Sequence, residues 1–398
     1  MEHLQELLQA YCTSIGCPEW LVNDLTFVLA FLSALLAVLG FVYTGIKKLI
    51  LWRNQRLLNR DLHPFYTPAD VERATRYFIP LKHQNVAPSV DAELGSSFLA
   101  VAREELIPVF LKKAFRFGKD SNKYYLILAD TGMGKTTFLI NLYLAYKNQF
   151  NHLFSSKKYD IRLLPLGYPN VLEEVKKIEN KKDTILLLDA FDEDIAAVKD
   201  YQARLKTILE VVYQFREIVI TCRTQFFPSE KEEPDRTGYF SFGGQGEFKF
   251  QKSYLSVFDE KDVKRYLRRR FSLLQYKKRQ RAFKIAQKSP TLIVRPMLLS
   301  HIEELVASNK EYEFTFEVYE ELIKKWIKRE ARKPKVIQLY GNEGKARKSL
   351  MTFVERLAGY MYENRGQNGG YFLPENQVLN PEILSHLGID DSDVNFLD

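Results

Sequence analysis

Residues 25–46, LTFVLAFLSALLAVLGFVYTGI, are a run of 22 residues without a charge. A helix rising 1.5 Å per residue over that length crosses a hydrocarbon core about 30 Å thick. The run is too long for a signal peptide and has no basic segment before it. It predicts one N-terminal transmembrane helix. Residues 47–100 are polar and basic with scattered prolines (Pro64, Pro68, Pro80, Pro88) and read as a connector. FLAVAREELIPVFLKKAF (98–115) has helical periodicity. Strand and helix patterns then alternate. KYYLILAD (123–130) suits a buried parallel strand, KTTFLINLYLAYKNQF (135–150) a helix, and DIRLLPLGY, DTILLLDAFDED and REIVITCRT further strands. Apolar strands separated by helices predict an α/β core with a parallel sheet covered on both faces, over 101–258. The pattern over 259–335 is all-helical, and 336–398 is a smaller final segment with a turn-rich NRGQNGGYFLPEN. No internal repeat of 20–50 residues is visible.

Charge sharpens this division. Residues 1–46 contain no Lys or Arg and four carboxylates (Glu2, Glu6, Glu19, Asp24), whereas 47–398 hold all 58 basic residues against 46 of the 50 acids, a net charge of +12. Lys47, Lys48, Arg53, Arg56 and Arg60 directly follow the apolar run. The positive-inside bias therefore places residues 1–24 outside and the C-terminal bulk in the cytoplasm, as in a single-pass protein of the inner (plasma) membrane. Trp20, Tyr43 and Trp52 fall where interfacial aromatics sit. Cys12 and Cys17 fall in the outer segment, either as a disulfide or as two thiols, and Cys222 reads as a reduced, buried small hydrophobe.

Candidate chemistry begins at LILADTGMGKTT (126–137). The phosphate-binding pattern G-x-x-x-x-G-K-[ST] is met except that Ala129 replaces the first glycine. The segment leaves a strand and enters a helix, so its backbone N–H groups and the helix N-terminus can face phosphates. Ala129, Asp130, Thr131, Gly132, Met133, Gly134, Lys135, Thr136 and Thr137 are the candidate binding residues. Gly132 and Gly134 permit close approach, Lys135 offsets phosphate charge, and the Thr136 hydroxyl is a Mg²⁺ ligand. Asp189 ends the apolar strand TILLLD, 54 residues after Lys135, and is the second Mg²⁺ candidate. Asp192 and Glu193 follow, where a carboxylate can orient or deprotonate a water. IVITCRTQFF (218–227) supplies Thr221 and Arg223, the latter a candidate γ-phosphate sensor.

The set ADTGMGKTT, LLLDAFDED and ITCRTQFFP resembles the NACHT subgroup of STAND P-loop NTPases, with Ala190 and the pair Asp192–Glu193 after the strand aspartate. The resemblance covers roughly residues 60–398. It implies an ATP-preferring site with slow hydrolysis used for switching, self-assembly on activation, and a role in bacterial defence or stress signalling. VRPMLLSHI matches the helical-domain motif whose proline touches adenine, pointing to Pro296. Residues 336–398 would open a winged-helix-like domain. The family's phosphate-contacting histidine and C-terminal sensor array are not found in this sequence, so either it is a fragment or the sensor is another chain, and the trigger and the ADP-locked resting state stay open.

Residues 261–284 hold eleven basic residues interleaved with aromatics; a nucleic-acid surface is conceivable, but the favoured reading is a solvated helix face, toward a neighbouring subunit or the anionic inner leaflet, and no nucleic-acid partner is expected. No metal-ligand spacing of His or Cys and no Ser-His-Asp set is present. The expected partners are further copies of the chain and the lipid bilayer through 25–46. A non-catalytic membrane scaffold with a vestigial site and a transport or secretion motor are the readings from other classes.

Overall fold

The computed structural model describes residues 14, 33–46, 49, 52, 53, 56, 60–84, 104–115, 122–148, 159–226, 239–243, 248–288, 295–308, 310–332, 336, 337 and 340–365. Cys12, Cys17, residues 25–32 of the expected span and residues 366–398 of the expected winged-helix-like segment lie outside them. Residues 33–46 are helical with every residue exposed. Among the described residues no helix is long and apolar enough to cross a membrane, so they do not by themselves support the span expected over 25–46. The chain divides into two compact units. One gathers the residues up to Pro80 with Glu104–Ala129 and Lys135–Tyr254; the other gathers Leu81–Arg103, Asp130–Gly134 and Leu255 onward.

The first unit is built on a mixed sheet. Strands β1 (Tyr124–Leu128), β2 (Asp160–Pro165), β3 (Thr184–Asp189), β4 (Glu217–Cys222) and β6 (Phe248–Leu255) lie in the order β6-β1-β4-β3-β2, all parallel. Strand β5 (Tyr239–Phe242) pairs antiparallel with β6. Every residue of β1, β3 and β4 is buried, as expected of parallel strands covered on both faces. That explains why they read as continuous apolar runs rather than alternating ones. β4 lies between β1 and β3, so the chain order changes direction there, and the carboxyl ends beside such a point are where α/β sheets bind ligands. The register sets Ile127 opposite Thr221 and Leu188 opposite Ile220, which brings the carboxyl ends of the three motif-bearing strands β1, β3 and β4 together.

Two helices cover this region. α1 (Pro68–Thr75) is closed by a capping box of Thr67 and Asp70, with proline at its first position. It packs on α2 (Lys135–Lys147), where Asn141 Nδ2 donates to the Ala74 carbonyl at 3.0 Å. Leu62, Tyr66, Val71, Ala74 and Ile79 are buried, so part of the stretch read as a connector is core of the α/β unit. Tyr143 on α2 donates to Asp61 at 2.6 Å, and Lys147 Nζ lies 3.6 Å from the same carboxylate. Within 98–115 the periodicity becomes a short strand (Glu104–Glu105), a helix (Leu106–Val109) and a π-helical turn (Phe110–Ala114). That turn sets the Phe110 ring 5.2 Å from Tyr125 and 5.9 Å from Phe138. α3 (Tyr201–Val212), capped by Asp200, also belongs to this unit.

The second unit is helical: α4 (Glu260–Arg270), α5 (Tyr276–Lys288), α6 (Pro296–Leu299), α7 (Ile302–Ala307), α8 (Thr315–Glu330) and α9 (Glu343–Glu363). Asp259 and Asp262 form a capping box on α4, and Lys82 Nζ lies 2.7 and 2.8 Å from their carboxylates. Ile327, Ala331, Val336, Ala346 and Leu350 form an apolar cluster that joins α8 to α9.

Candidate functional site

Ala129 continues from β1, buried, with its N–H on the Cys222 carbonyl of β4 at 3.2 Å. Among the described residues only Asn170 and Ala190, other than glycines, have a positive φ, so Ala129 needs no glycine-like backbone. The loop then closes with the Met133 N–H on the Asp130 carbonyl at 3.3 Å; Met133 is buried and Thr131 exposed. Gly132 and Gly134 sit at φ +79° and +92°, in the region that side chains resist. The Met297 N–H, one residue into α6 from Pro296, donates to the Gly132 carbonyl at 3.1 Å. A β-carbon on Gly132 would lie 3.0 Å from Met297 Cβ. Gly132→Ala is therefore expected to cost about 1–2 kcal/mol from the backbone alone, read as a lower midpoint in urea denaturation.

Lys135 and Thr136 open α2. The Lys135 ammonium donates to the Ala129 carbonyl at 3.1 Å, and Asn141 Nδ2 donates to the Thr137 carbonyl at 2.7 Å. Asp189, 2% exposed at the end of β3, gathers hydroxyls. Thr221 Oγ1 donates to its Oδ1 at 2.8 Å, Tyr66 to its Oδ2 at 3.3 Å, and Thr136 also hydrogen-bonds to it. Burial pushes the Asp189 carboxyl up, while these three hydroxyls and the Lys135 charge pull the other way. The Tyr66 phenol is driven well above its ordinary value, by burial first and by Asp189 second. Thr221 also accepts the Ala190 N–H at 2.8 Å, which steadies Ala190 in the left-handed conformation at φ +56°.

The acids after β3 occupy different settings. Asp192 is buried; its Oδ1 accepts the Arg223 N–H at 2.9 Å, and its Oδ2 lies 2.6 Å from Arg223 Nε without an aligned hydrogen bond. Arg223, the expected sensor, is thus held against Asp192, with its side chain 45% exposed. Glu193 is exposed, and desolvation first, then the charges of Asp192 and Asp189, push its carboxyl up. A β-carbon on Gly167 would meet the Glu193 carbonyl at 3.1 Å, so a glycine there lets the Glu193 backbone pass.

Sequence reasoning singled out neither Tyr66, Gly167 nor Met297. Pro64–Tyr66 follows the basic flank with no motif of its own, and a methionine beside Pro296 reads as an ordinary helix residue. Asp189 and the Thr136 hydroxyl are hard oxygen donors in contact, which suits Mg²⁺ completed by phosphate oxygens and water. Among the described residues no group of three or more His, Cys, Asp or Glu could hold a metal alone.

No family model matches the chain, and no curated protein matches it. Among solved structures it is similar to the Aeropyrum pernix Orc1 protein in complex with DNA, at 14% identity, covering 71% of this chain and 81% of that one with a TM-score of 0.39. It is also similar to a Thermotoga maritima RuvB mutant, at 12% identity over 68% and 77% of the two chains with a TM-score of 0.29. The parallel sheet with β4 set between β1 and β3, and the strand–loop–helix at 124–147, give the core the layout of a P-loop fold.

Proposed function

We propose that the protein is a membrane-anchored NTPase switch of the NACHT-type STAND class that binds Mg·ATP, hydrolyses it slowly and self-assembles on activation. One observation carries this reading: Asp189 is buried under three hydroxyls, one of them Thr136 from the helix that Lys135 opens. A buried carboxylate that only hydroxyls and a lysine offset is costly to the fold and useful to a cation. Thr136 and Asp189 would hold Mg²⁺, which when bound neutralises phosphate charge. Lys135 would exchange the Ala129 carbonyl for phosphate oxygens, and Gly132 and Gly134 would admit them. Pro296 would line the base, and Glu193 would accept a proton from the attacking water. Arg223, exposed beyond its contact with Asp192, would reach a γ-phosphate.

The anchor reading draws on residues 33–46, a helix whose large apolar side chains face outward, Phe41 at 80% exposed. With the basic residues that follow, it favours residues 1–24 outside and the bulk in the cytoplasm. The partners are then the bilayer, further copies of the chain and a trigger of unknown chemistry, in a signalling or defence role. The test is the size of the detergent-solubilised full chain with Mg·ATP, with ADP and without nucleotide. A larger species with Mg·ATP alone is expected. The same size in all three states would overturn the switch, and failure to bind ATP would overturn the whole reading.

A further inference from the structure

We propose that the turn between α4 and α5 is a second membrane contact, which seats two leucines in an anionic bilayer surface. Leu273 and Leu274 are 85% and 99% exposed, and Tyr276 beside them is also exposed. Their exposure is built in. Phe271, just before the turn, is buried with its N–H on the Leu267 carbonyl at 3.0 Å. Ser272 and Gln275 then clamp the turn: the Gln275 N–H reaches the Ser272 carbonyl at 3.0 Å, and the Ser272 N–H reaches Gln275 Oε1 at 3.2 Å. The leucines are held away from the core by a closed turn.

The charge around them is predominantly positive, with Glu303 paired to Arg270 and Glu260 to Lys264. Residues 261–284 contain eleven Lys and Arg and a single acid, Asp262. Asp262 is 2% exposed and sits 2.8 Å from Lys82 Nζ, so it adds no negative surface. Arg268 in the last turn of α4 and Lys277 and Lys278 in the first turn of α5 are exposed. Cations at a helix N-terminus oppose the helix dipole, so Lys277 and Lys278 are not there to stabilise α5. A nucleic-acid backbone would satisfy the cations and leave the leucines in water. An anionic bilayer satisfies both, with leucines at the acyl boundary and ammonium and guanidinium groups among the headgroups. The contact does not depend on residues 25–46 spanning a membrane.

The test places a reporter at the turn of the full chain. Leu274→Trp is reconstituted with brominated phosphatidylcholine–phosphatidylglycerol vesicles and with brominated phosphatidylcholine alone, the parent chain correcting for Trp20, Trp52 and Trp326. Quenching of the introduced tryptophan is expected in the anionic vesicles, at least about twofold above the neutral ones, and lost in high salt. Adding Arg268→Glu, Lys277→Glu and Lys278→Glu should remove that quenching while leaving any quenching of Trp20 and Trp52 in place. Absence of quenching at the turn in anionic vesicles overturns the proposal, even if Trp20 and Trp52 report an inserted anchor. So does an emission change with single-stranded oligonucleotide but not with vesicles, which would make the face a nucleic-acid surface. An unchanged melting temperature in each variant shows that the fold is intact.

Discussion

Lys135→Ala is expected to weaken Mg·ATP binding by roughly 10- to 150-fold, the loss that follows from a charge-assisted contact of about 1.5–3 kcal/mol. The reasoning starts from what Lys135 does without nucleotide. Its ammonium donates to the Ala129 carbonyl at 3.1 Å from a half-buried position at the start of α2. That bond is modest and partly solvated, so its loss should move the melting temperature of the nucleotide-free protein very little. With phosphates present, the same ammonium meets several negative charges beside a loop whose glycines leave no side chain in the way. Titration calorimetry and a melting curve with and without Mg·ATP separate the two effects. Unchanged affinity in this variant would remove the phosphate-binding role of the loop. An equal drop in the melting temperature without nucleotide would make Lys135 a structural residue.

Glu193→Gln is expected to spare ATP binding and slow turnover by about 10²–10⁴-fold, the usual contribution of a positioned general base. Asp192 is committed to Arg223 through both its oxygens, whereas Glu193 is exposed with its carboxyl pushed up by desolvation and by Asp192 and Asp189. A raised value brings a carboxylate nearer the working pH of a base. Glu193 acts only when deprotonated, so the rate should fall as pH drops through its raised value. That acid limb then lies above the ordinary glutamate value of about 4.3. The Arg223 charge holds Glu193 down, so Arg223→Ala should move the limb to higher pH. The stability sign runs the other way. A raised folded value makes the ionised form unfavourable in the fold, a contribution present below the unfolded value and lost as pH rises through the folded one. Glu193→Gln should accordingly melt slightly higher than the parent at neutral pH without nucleotide, and no higher once the pH is well below about 4.3. Retained turnover in Glu193→Gln, or a limb that moves to lower pH in Arg223→Ala, would take the base role from Glu193.

Short-range pattern carried much of the site. The apolar runs of β1, β3 and β4 are legible because parallel strands covered on both faces need no alternation. The loop is legible because positive φ at positions 132 and 134 calls for glycine. Ala129 looked like a defect only because the pattern does not say which glycine supplies conformational freedom; its backbone here is ordinary. The stretch 47–100 was harder. Leu62, Tyr66, Val71, Ala74 and Ile79 are spread among charged residues and prolines, and their common burial exists only once α1 lies on α2.

The sequence alone determined the strand–loop–helix, the acid-ended strand and the contrast between an uncharged N-terminal run and a basic remainder, since each depends on residues close together in the chain. Only the tertiary structure decided which partner each acid meets. Tyr66 reaches Asp189 across 123 residues, Thr221 bridges Asp189 and Ala190, and Arg223 closes on Asp192 across 31. Those partners depend on β4 entering the sheet between β1 and β3, a non-local pairing that no local periodicity encodes.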